Sequence, residues 1–244
     1  MFNNQYKILN RDEIKYIAII AMFINHIALI FLQPATWLCE ILVALGYFTV
    51  IAMTYFLVEG YKYTSSKKNY FLRLLIFAFI SIIPYHLAFN QKSIFHLNML
   101  FSLLLCFILI WVIKTTNNKF IKFLTTLEVI VFSCTCEWEI LAPVSVLLFI
   151  WAEYSPKRKI IAFLLAALSY IPIGYFLGLD TLSTEQNIIC IFLRFTGMMI
   201  PGICITYFYN GQRTQKHRQF SKWFFYIFYP AHLLILGLIR IFIS

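Results

Sequence analysis

Histidine and arginine side chains interrupt apolar runs of this chain at His26, His86, His96, Arg194 and His232. His26 follows Asn25 in the middle of Ile14–Leu32. An imidazole kept neutral in a low-dielectric cavity is a general base toward a hydroxyl or an amine. A neighbouring carboxamide can orient it or donate to a developing oxyanion. Arg194 is expensive in an apolar segment unless it meets a carboxylate, a carbonyl or a ligand anion, so it either pairs with Glu40 or Glu137 or holds an anionic group. Acyl transfer is a chemistry this set can perform. The plainer reading of Asn25-His26 is a hydrogen-bonded pair that joins helices. Metal chemistry is disfavoured: there is no His-Glu-x-x-His and no paired-Cys pattern, and no two His stand four apart on one predicted helix. A Gly-rich phosphate loop and a nucleophile elbow are absent too.

The elements that must position these residues are membrane helices. The chain has 244 residues, of which 61% are hydrophobic and 12% charged. That composition belongs to a polytopic membrane protein and not to a soluble domain. The initial apolar run is longer than a signal-peptide core and lacks a small-x-small cleavage pattern. Apolar runs predict nine spans, 14–32, 37–59, 70–89, 96–113, 120–135, 138–153, 159–178, 188–209 and 221–243, in one membrane domain over residues 1–244. A 19-residue helix rises about 28 Å, close to the hydrocarbon thickness of a bilayer.

The net charge of +10 is accounted for by topology and needs no nucleic acid. Lys7, Arg11 and Lys15 lie at the start of the chain. Lys62, Lys67, Lys68 and Arg73 follow the second, and Lys114, Lys119 and Lys122 follow the fourth. Lys157, Arg158 and Lys159 follow the sixth, and Arg213, Lys216, Arg218 and Lys222 the eighth. The opposite loops hold Lys92 among Glu137, Glu139, Asp180 and Glu185. By the positive-inside rule the N-terminus is cytoplasmic, in the cell membrane, and the C-terminus external. On that scheme His26, His86, His96, Arg194 and His232 all lie between the midplane and the outer surface, which is how an intramembrane site announces itself.

Within the spans, Glu40, Tyr47 and Thr54 are seven apart and line one face of the second helix. Pro84 predicts a kink beside Tyr85 and His86. His96 and Asn98 read as solvated interface residues. The seventh span, with Tyr170, Pro172 and Gly174, carries no charge and reads as structural. Gly197, Pro201 and Gly202 predict a bent or broken helix after Arg194. Tyr226, Tyr229 and His232 are spaced by three around Pro230 and share one face approximately. The cysteine spacing picks no disulfide pairing.

Blocks spread in order over nearly the whole chain resemble the TraX family. They are Met22-Phe23-Ile24-Asn25-His26-Ile27, Leu57-Val58-Glu59-Gly60-Tyr61 with Thr64, Arg73 through Ser81-Ile82-Ile83-Pro84-Tyr85, and Asn98 with Phe101-Ser102-Leu103. Tyr209-Asn210-Gly211 and Phe228-Tyr229-Pro230-Ala231-His232-Leu233 complete the set. The namesake of that family is linked to N-terminal acetylation of conjugative pilin. The resemblance implies a multi-span acyltransferase that takes acetyl-CoA or another acyl-CoA from the cytosol. The acceptor, a peptide amine, a sugar or a lipid head group, would be modified at or beyond the membrane. By position, His26 becomes the catalytic base, with Asn25 beside it and His232 as a second catalytic residue. Arg73 and Asn210 sit toward the cytosolic mouth, where Arg213 and Lys216 join them as cofactor-binding residues. Arg194, Tyr85, His86 and Tyr229 become substrate-binding residues.

Three positions depart from the family pattern. Asn25 stands where Asp is usual, and His86 stands where Asp usually follows the third-span Pro-Phe. The Gly-Arg-x-Ala-Phe-Pro block reads Gly46-Tyr47-Phe48-Thr49-Val50-Ile51. The competing reading is a non-enzymatic transporter, assembly or immunity factor using the same polar level as a pathway; no internal repeat of two halves supports it.

Overall fold

The structure is a computed structural model that describes residues 7–90, 95–176, 183–214 and 216–243. Lys92, Asp180 and the last two residues of the predicted seventh span lie outside them. Every predicted apolar stretch is helical. The helices are α1 (Arg11–Phe31), α2 (Trp37–Tyr63), α3 (Lys67–Ile80), α4 (Ile82–Phe89), α5 (Met99–Thr115), α6 (Lys119–Ser133), α7 (Leu141–Ala152), α8 (Pro156–Leu168), α9 (Tyr170–Phe176), α10 (Thr184–Ile203) and α11 (Arg218–Ile243). A π-helical turn, Cys204–Phe208, extends α10. Among the described residues there is no β-strand, and two isolated parallel bridges join Leu9 to Tyr209 and Leu97 to Cys136.

Among the described residues, five helical segments are long and apolar enough to cross a bilayer: Arg11–Phe31, Trp37–Tyr63, Pro156–Phe176, Thr184–Phe208 and Arg218–Ile243. The α3–α4 pair, bent by 42°, makes a sixth. α5 and α7 are apolar but only 17 and 12 residues long, and 12 residues rise about 18 Å, well short of a hydrocarbon core of roughly 30 Å. α6 has 15 residues and carries Lys119, Lys122 and Glu128. The protein is therefore an all-α polytopic membrane protein in which length and composition support five or six full crossings rather than nine. The cytoplasmic N-terminus rests on the distribution of Lys and Arg alone.

Helix ends follow local chemistry. Asn10 caps α1 through its side-chain oxygen, and Glu13 returns to the Asn10 N–H, a complete capping box. Ser66, Asn98, Asn118, Ser155 and Ser183 cap later helices in the same way. The helix breaks have a common cause. Pro84 and Pro172 each sit three residues after a break, at Ser81 and Ser169. A proline ring clashes with the carbonyl four residues earlier, here Ile80 and Leu168, the last residues of α3 and α8. In the next helix each proline lies in the first turn, where its missing N–H costs nothing. Ser81 Oγ then donates to the Phe77 carbonyl at 2.6 Å, and Ser169 Oγ to that of Ala166 at 2.8 Å.

The chain forms two compact units: Met1–Met53 with Trp151–Trp223, and Thr54–Ile150 with Phe224–Ser244. In the first, α1 and α2 run antiparallel. Thr49 Oγ1 donates to the Ala18 carbonyl at 2.7 Å, Asn25 Nδ2 to that of Val43 at 3.0 Å, and Cys39 Sγ approaches that of Ala28 at 3.8 Å. A Cβ on Gly46 would fall 2.4 Å from the Asn25 side chain, and one on Gly197 would fall 2.0 Å from the Ala44 carbonyl oxygen. Glycine thus lets α1 and α10 come close to α2, as small residues do where membrane helices cross. In the second unit Phe107, fully buried, gathers the rings of Tyr61, Tyr70, Phe71 and Trp111. All six cysteines are free thiols.

Candidate functional site

His26 is 1% exposed, in the middle of α1. Its neighbour Asn25 spends its amide N–H on the Val43 carbonyl. The Asn25 carboxamide therefore fixes α1 to α2 one residue away from the imidazole. Helix joining is thus one role of this dipeptide.

Arg194, partly buried, also lies in the first unit, on α10. Its guanidinium donates to Glu40 Oε2 at 3.0 Å and to Tyr170 Oη at 3.0 Å. It also lies over the ring of Tyr47, 5.8 Å from the centroid, and the hydroxyls of Tyr47 and Tyr170 are 3.2 Å apart. Of the two acids expected as its partners, Glu40 is the one found. Burial makes the pair interdependent: either charge alone in this apolar setting would be costly. Tyr170, which the sequence reading left as structural, is the second partner. An uncharged residue among apolar neighbours gave no signal of that role. Glu40 and Thr54 are buried on α2 and Tyr47 is half-buried, as the seven-residue spacing predicted.

At the other end of this unit the chain before α1 lies against the turn after the π-helix. Leu9 N–H donates to the Phe208 carbonyl, Asn210 N–H to that of Leu9, and Arg11 N–H to that of Gln212, each at 2.9 Å. Asn210 Oδ1 accepts from Gln212 N–H at 2.8 Å, so this carboxamide shapes its own turn, and Gly211 takes a φ of 75° there. Asp12, 2% exposed, accepts from Thr214 N–H at 3.2 Å, and its Oδ2 is 4.0 Å from Arg213 Nε. Lys216 is exposed. Asn210, Arg213 and Lys216 are thus close along one turn, with Arg213 partly committed to Asp12.

In the second unit, His232 is 3% exposed on α11. Its Nδ1 is 2.8 Å from the Phe228 carbonyl. A carbonyl only accepts, so Nδ1 carries the proton, and Nε2 is the basic nitrogen of the neutral ring. The imidazole stacks on Phe228, 4.9 Å between centroids, and meets Tyr229 edge-on at 5.5 Å. Tyr229 Oη donates to Glu137 Oε2 at 2.9 Å, and the same oxygen accepts from Met99 N–H at 3.0 Å. Glu137 is held there by the bridge between Leu97 and Cys136, in which Leu97 N–H donates to Thr135 and Glu137 N–H to Leu97. Its carboxylate faces the first turn of α5, where the helix dipole favours an anion. From the sequence Glu137 reads as an external acid or a partner of Arg194, not as a partner of Tyr229; a short backbone bridge carries no side-chain signature that places it.

Tyr85 is buried and lies between two imidazoles, with centroids 5.9 Å from His86 and 6.0 Å from His96. His86 Nε2 is buried without a hydrogen-bond partner. Asn98 is fully buried, not solvated: it caps α5 and donates to the Ala78 carbonyl at 3.0 Å. Arg240 donates to the Leu87 carbonyl at 3.1 Å. Arg73 lies between Tyr70 and Tyr226. The predicted residues therefore group as Asn25, His26 and Arg194 with Asn210, Arg213 and Lys216 in the first unit. Arg73, Tyr85, His86, Tyr229 and His232 fall in the second. No group of His, Cys, Asp and Glu suited to a metal ion occurs among the described residues.

These features define a polytopic helical membrane protein with imidazole and guanidinium groups buried inside its apolar helices. The TraX protein profile matches residues 10–240, and the chain belongs to that family. It is also 29% identical over 248 residues to a Dichelobacter nodosus protein named "Probable fimbrial assembly protein FimC, serogroup H1", across 95% of this chain and 96% of that one. No solved structure matches it.

Proposed function

We propose that the protein is a membrane-embedded acyltransferase, most simply an acetyltransferase. It moves the acyl group of a cytosolic acyl-CoA to an amine or hydroxyl acceptor at or beyond the membrane. The observation that carries this reading is His26: a fully buried imidazole, placed mid-helix beside Asn25, in a chain of the TraX family. His26 takes the proton from the acceptor N–H or O–H as that nitrogen or oxygen bonds to the thioester carbonyl carbon. The C–S bond then breaks, and the imidazolium returns the proton to the CoA thiolate. His232, with Nε2 as its basic nitrogen, is a second catalytic residue in this scheme. In the first unit Asn210, Arg213 and Lys216 are assigned to the CoA and Arg194 to the acceptor; in the second unit Arg73 is assigned to the CoA and Tyr85, His86 and Tyr229 to the acceptor. The acceptor is a peptide amine, a sugar or a lipid head group.

Membranes carrying the wild-type protein are expected to transfer label from acetyl-CoA. His26→Ala lowers that transfer by about 100-fold or more, the usual contribution of a positioned acid–base group. Transfer at the wild-type rate in His26→Ala removes His26 from the mechanism. A second reading is favoured by the D. nodosus relative, whose name is that of a probable fimbrial assembly protein: a non-enzymatic assembly factor or transporter using the same polar residues. Saturable binding of CoA to the purified protein separates the two, since only the enzyme requires it.

A further inference from the structure

Arg73, Arg194 and Arg240 lie on apolar helices, and two of them have oxygen acceptors. Arg194 has Glu40 and Tyr170, and Arg240 has the Leu87 carbonyl. Arg73, the seventh residue of α3, has none. Its Nε is buried without a partner, and no hydrogen bond or ion pair links the side chain to a described residue. Its guanidinium is held instead between two rings, 5.7 Å from the centroid of Tyr70 and 5.9 Å from that of Tyr226.

Both rings are fixed from behind. Tyr70 meets the buried Phe107 edge-on at 5.1 Å and packs over Gly60. Tyr226 stacks on Phe77 at 5.3 Å. Another cation of this helix, Lys67, is used up on the carbonyls of Tyr61 and Thr64. Two aromatic faces offset part of the cost of a cation in an apolar setting. They satisfy none of its N–H donors, which point along the guanidinium plane. A planar fork of donors, braced by rings and lacking a carboxylate, is complementary to a phosphate group.

We propose that Arg73, braced by Tyr70 and Tyr226, is a binding site for a phosphate group at the Lys67 end of α3. The phosphate belongs either to CoA or to a phospholipid head group. The CoA case rests on the acyltransferase reading; the lipid case does not. The cradle assigns Tyr70 and Tyr226 to the site together with Arg73, and it makes guanidinium geometry a requirement beyond charge.

The test uses the full chain in nanodiscs. In phosphatidylcholine discs the protein is titrated with CoA and with dephospho-CoA. In mixed discs, retention of phosphatidylglycerol by the purified protein is read by mass spectrometry. Arg73→Gln is expected to weaken one of the two by about tenfold or more, the effect of one charge-assisted contact. Tyr226→Ala weakens the same one by several-fold, and Arg73→Lys falls between Arg73→Gln and the wild type. If Arg73→Gln does not fold, Arg73→Lys and Tyr226→Ala carry the test, with thermal melting as the control for folding. Loss of phosphatidylglycerol retention in a protein that never binds CoA upholds the phosphate site and overturns the enzyme reading. CoA binding and lipid retention both unchanged in every variant overturn the site and leave the enzyme reading standing. A wild-type protein that holds neither ligand overturns the site as well.

Discussion

At the scale of single residues, two departures from the family pattern have local physical counterparts. Asn25 replaces the usual Asp, and its amide donates to the Val43 carbonyl. A carboxylate cannot donate, and it would face that carbonyl oxygen with like partial charge. Asn25→Asp is therefore expected to lower stability at neutral pH by about 1–3 kcal/mol. Part of the loss is recovered as the pH falls, because a protonated carboxyl can donate where the amide did. Thermal unfolding in detergent across pH checks this, and a flat pH response would show that Val43 is not the constraint. Tyr47 replaces the usual Arg, and Arg194 brings a guanidinium over its ring from another helix. Glu40→Gln removes the anion of that pair and leaves Arg194 a neutral amide oxygen and the Tyr170 hydroxyl as acceptors. The expected cost is about 3–5 kcal/mol, read as a lower melting temperature, whereas exchanging both members for apolar residues of similar volume costs far less. A small effect of Glu40→Gln would mean that Arg194 meets other anions in the membrane.

At the scale of elements, the helices were legible because their apolar runs are long and their caps conventional. The kink near Pro84 was legible too, and its place at Ser81 follows from the clash four residues upstream. What the sequence could not display is helix proximity. Gly46 and Gly197 look alike as letters, but each permits a different approach to α2, one by a side chain and one by a backbone carbonyl. That difference is testable. Gly197→Ala places a Cβ 2.0 Å from the Ala44 oxygen, which is backbone and cannot swing away, so α10 must move off α2. A loss of about 1–3 kcal/mol is expected. Gly60→Ala, whose Cβ would meet the Tyr70 ring at 3.3 Å, is expected to cost less, because a side-chain ring can shift. Equal melting temperatures for the two variants would remove close α2–α10 crossing as a determinant of stability. The parallel bridges at Leu9 and Leu97 were equally hidden, since backbone pairing of single residues leaves no pattern in side-chain types.

At the scale of the molecule, the distribution of charge and the lengths of the helices make different demands, and the conflict is confined to α5, α6 and α7. If α1, α2 and the α3–α4 pair cross in turn from a cytoplasmic N-terminus, α4 ends outside. Were none of α5, α6 and α7 to cross, α8 would begin outside and expose Lys157, Arg158 and Lys159 on the external face, against the positive-inside rule. An odd number of crossings among these three returns that cluster to the cytosol. The short lengths of α5 and α7 can be met by local thinning of the bilayer at a modest cost per ångström. The charge argument is the stronger one, because misplacing three cations costs more than a few ångströms of mismatch. The expectation is that Asn117→Cys and Lys157→Cys, made in a background where the exposed Cys134 is Ser, are both shielded from a membrane-impermeant thiol reagent in intact cells. Both should label once the cells are opened. Labelling of Lys157→Cys from outside would mean that none or two of α5, α6 and α7 cross, place both termini in the cytosol, and move the C-terminal end of α11 to the opposite side of the membrane.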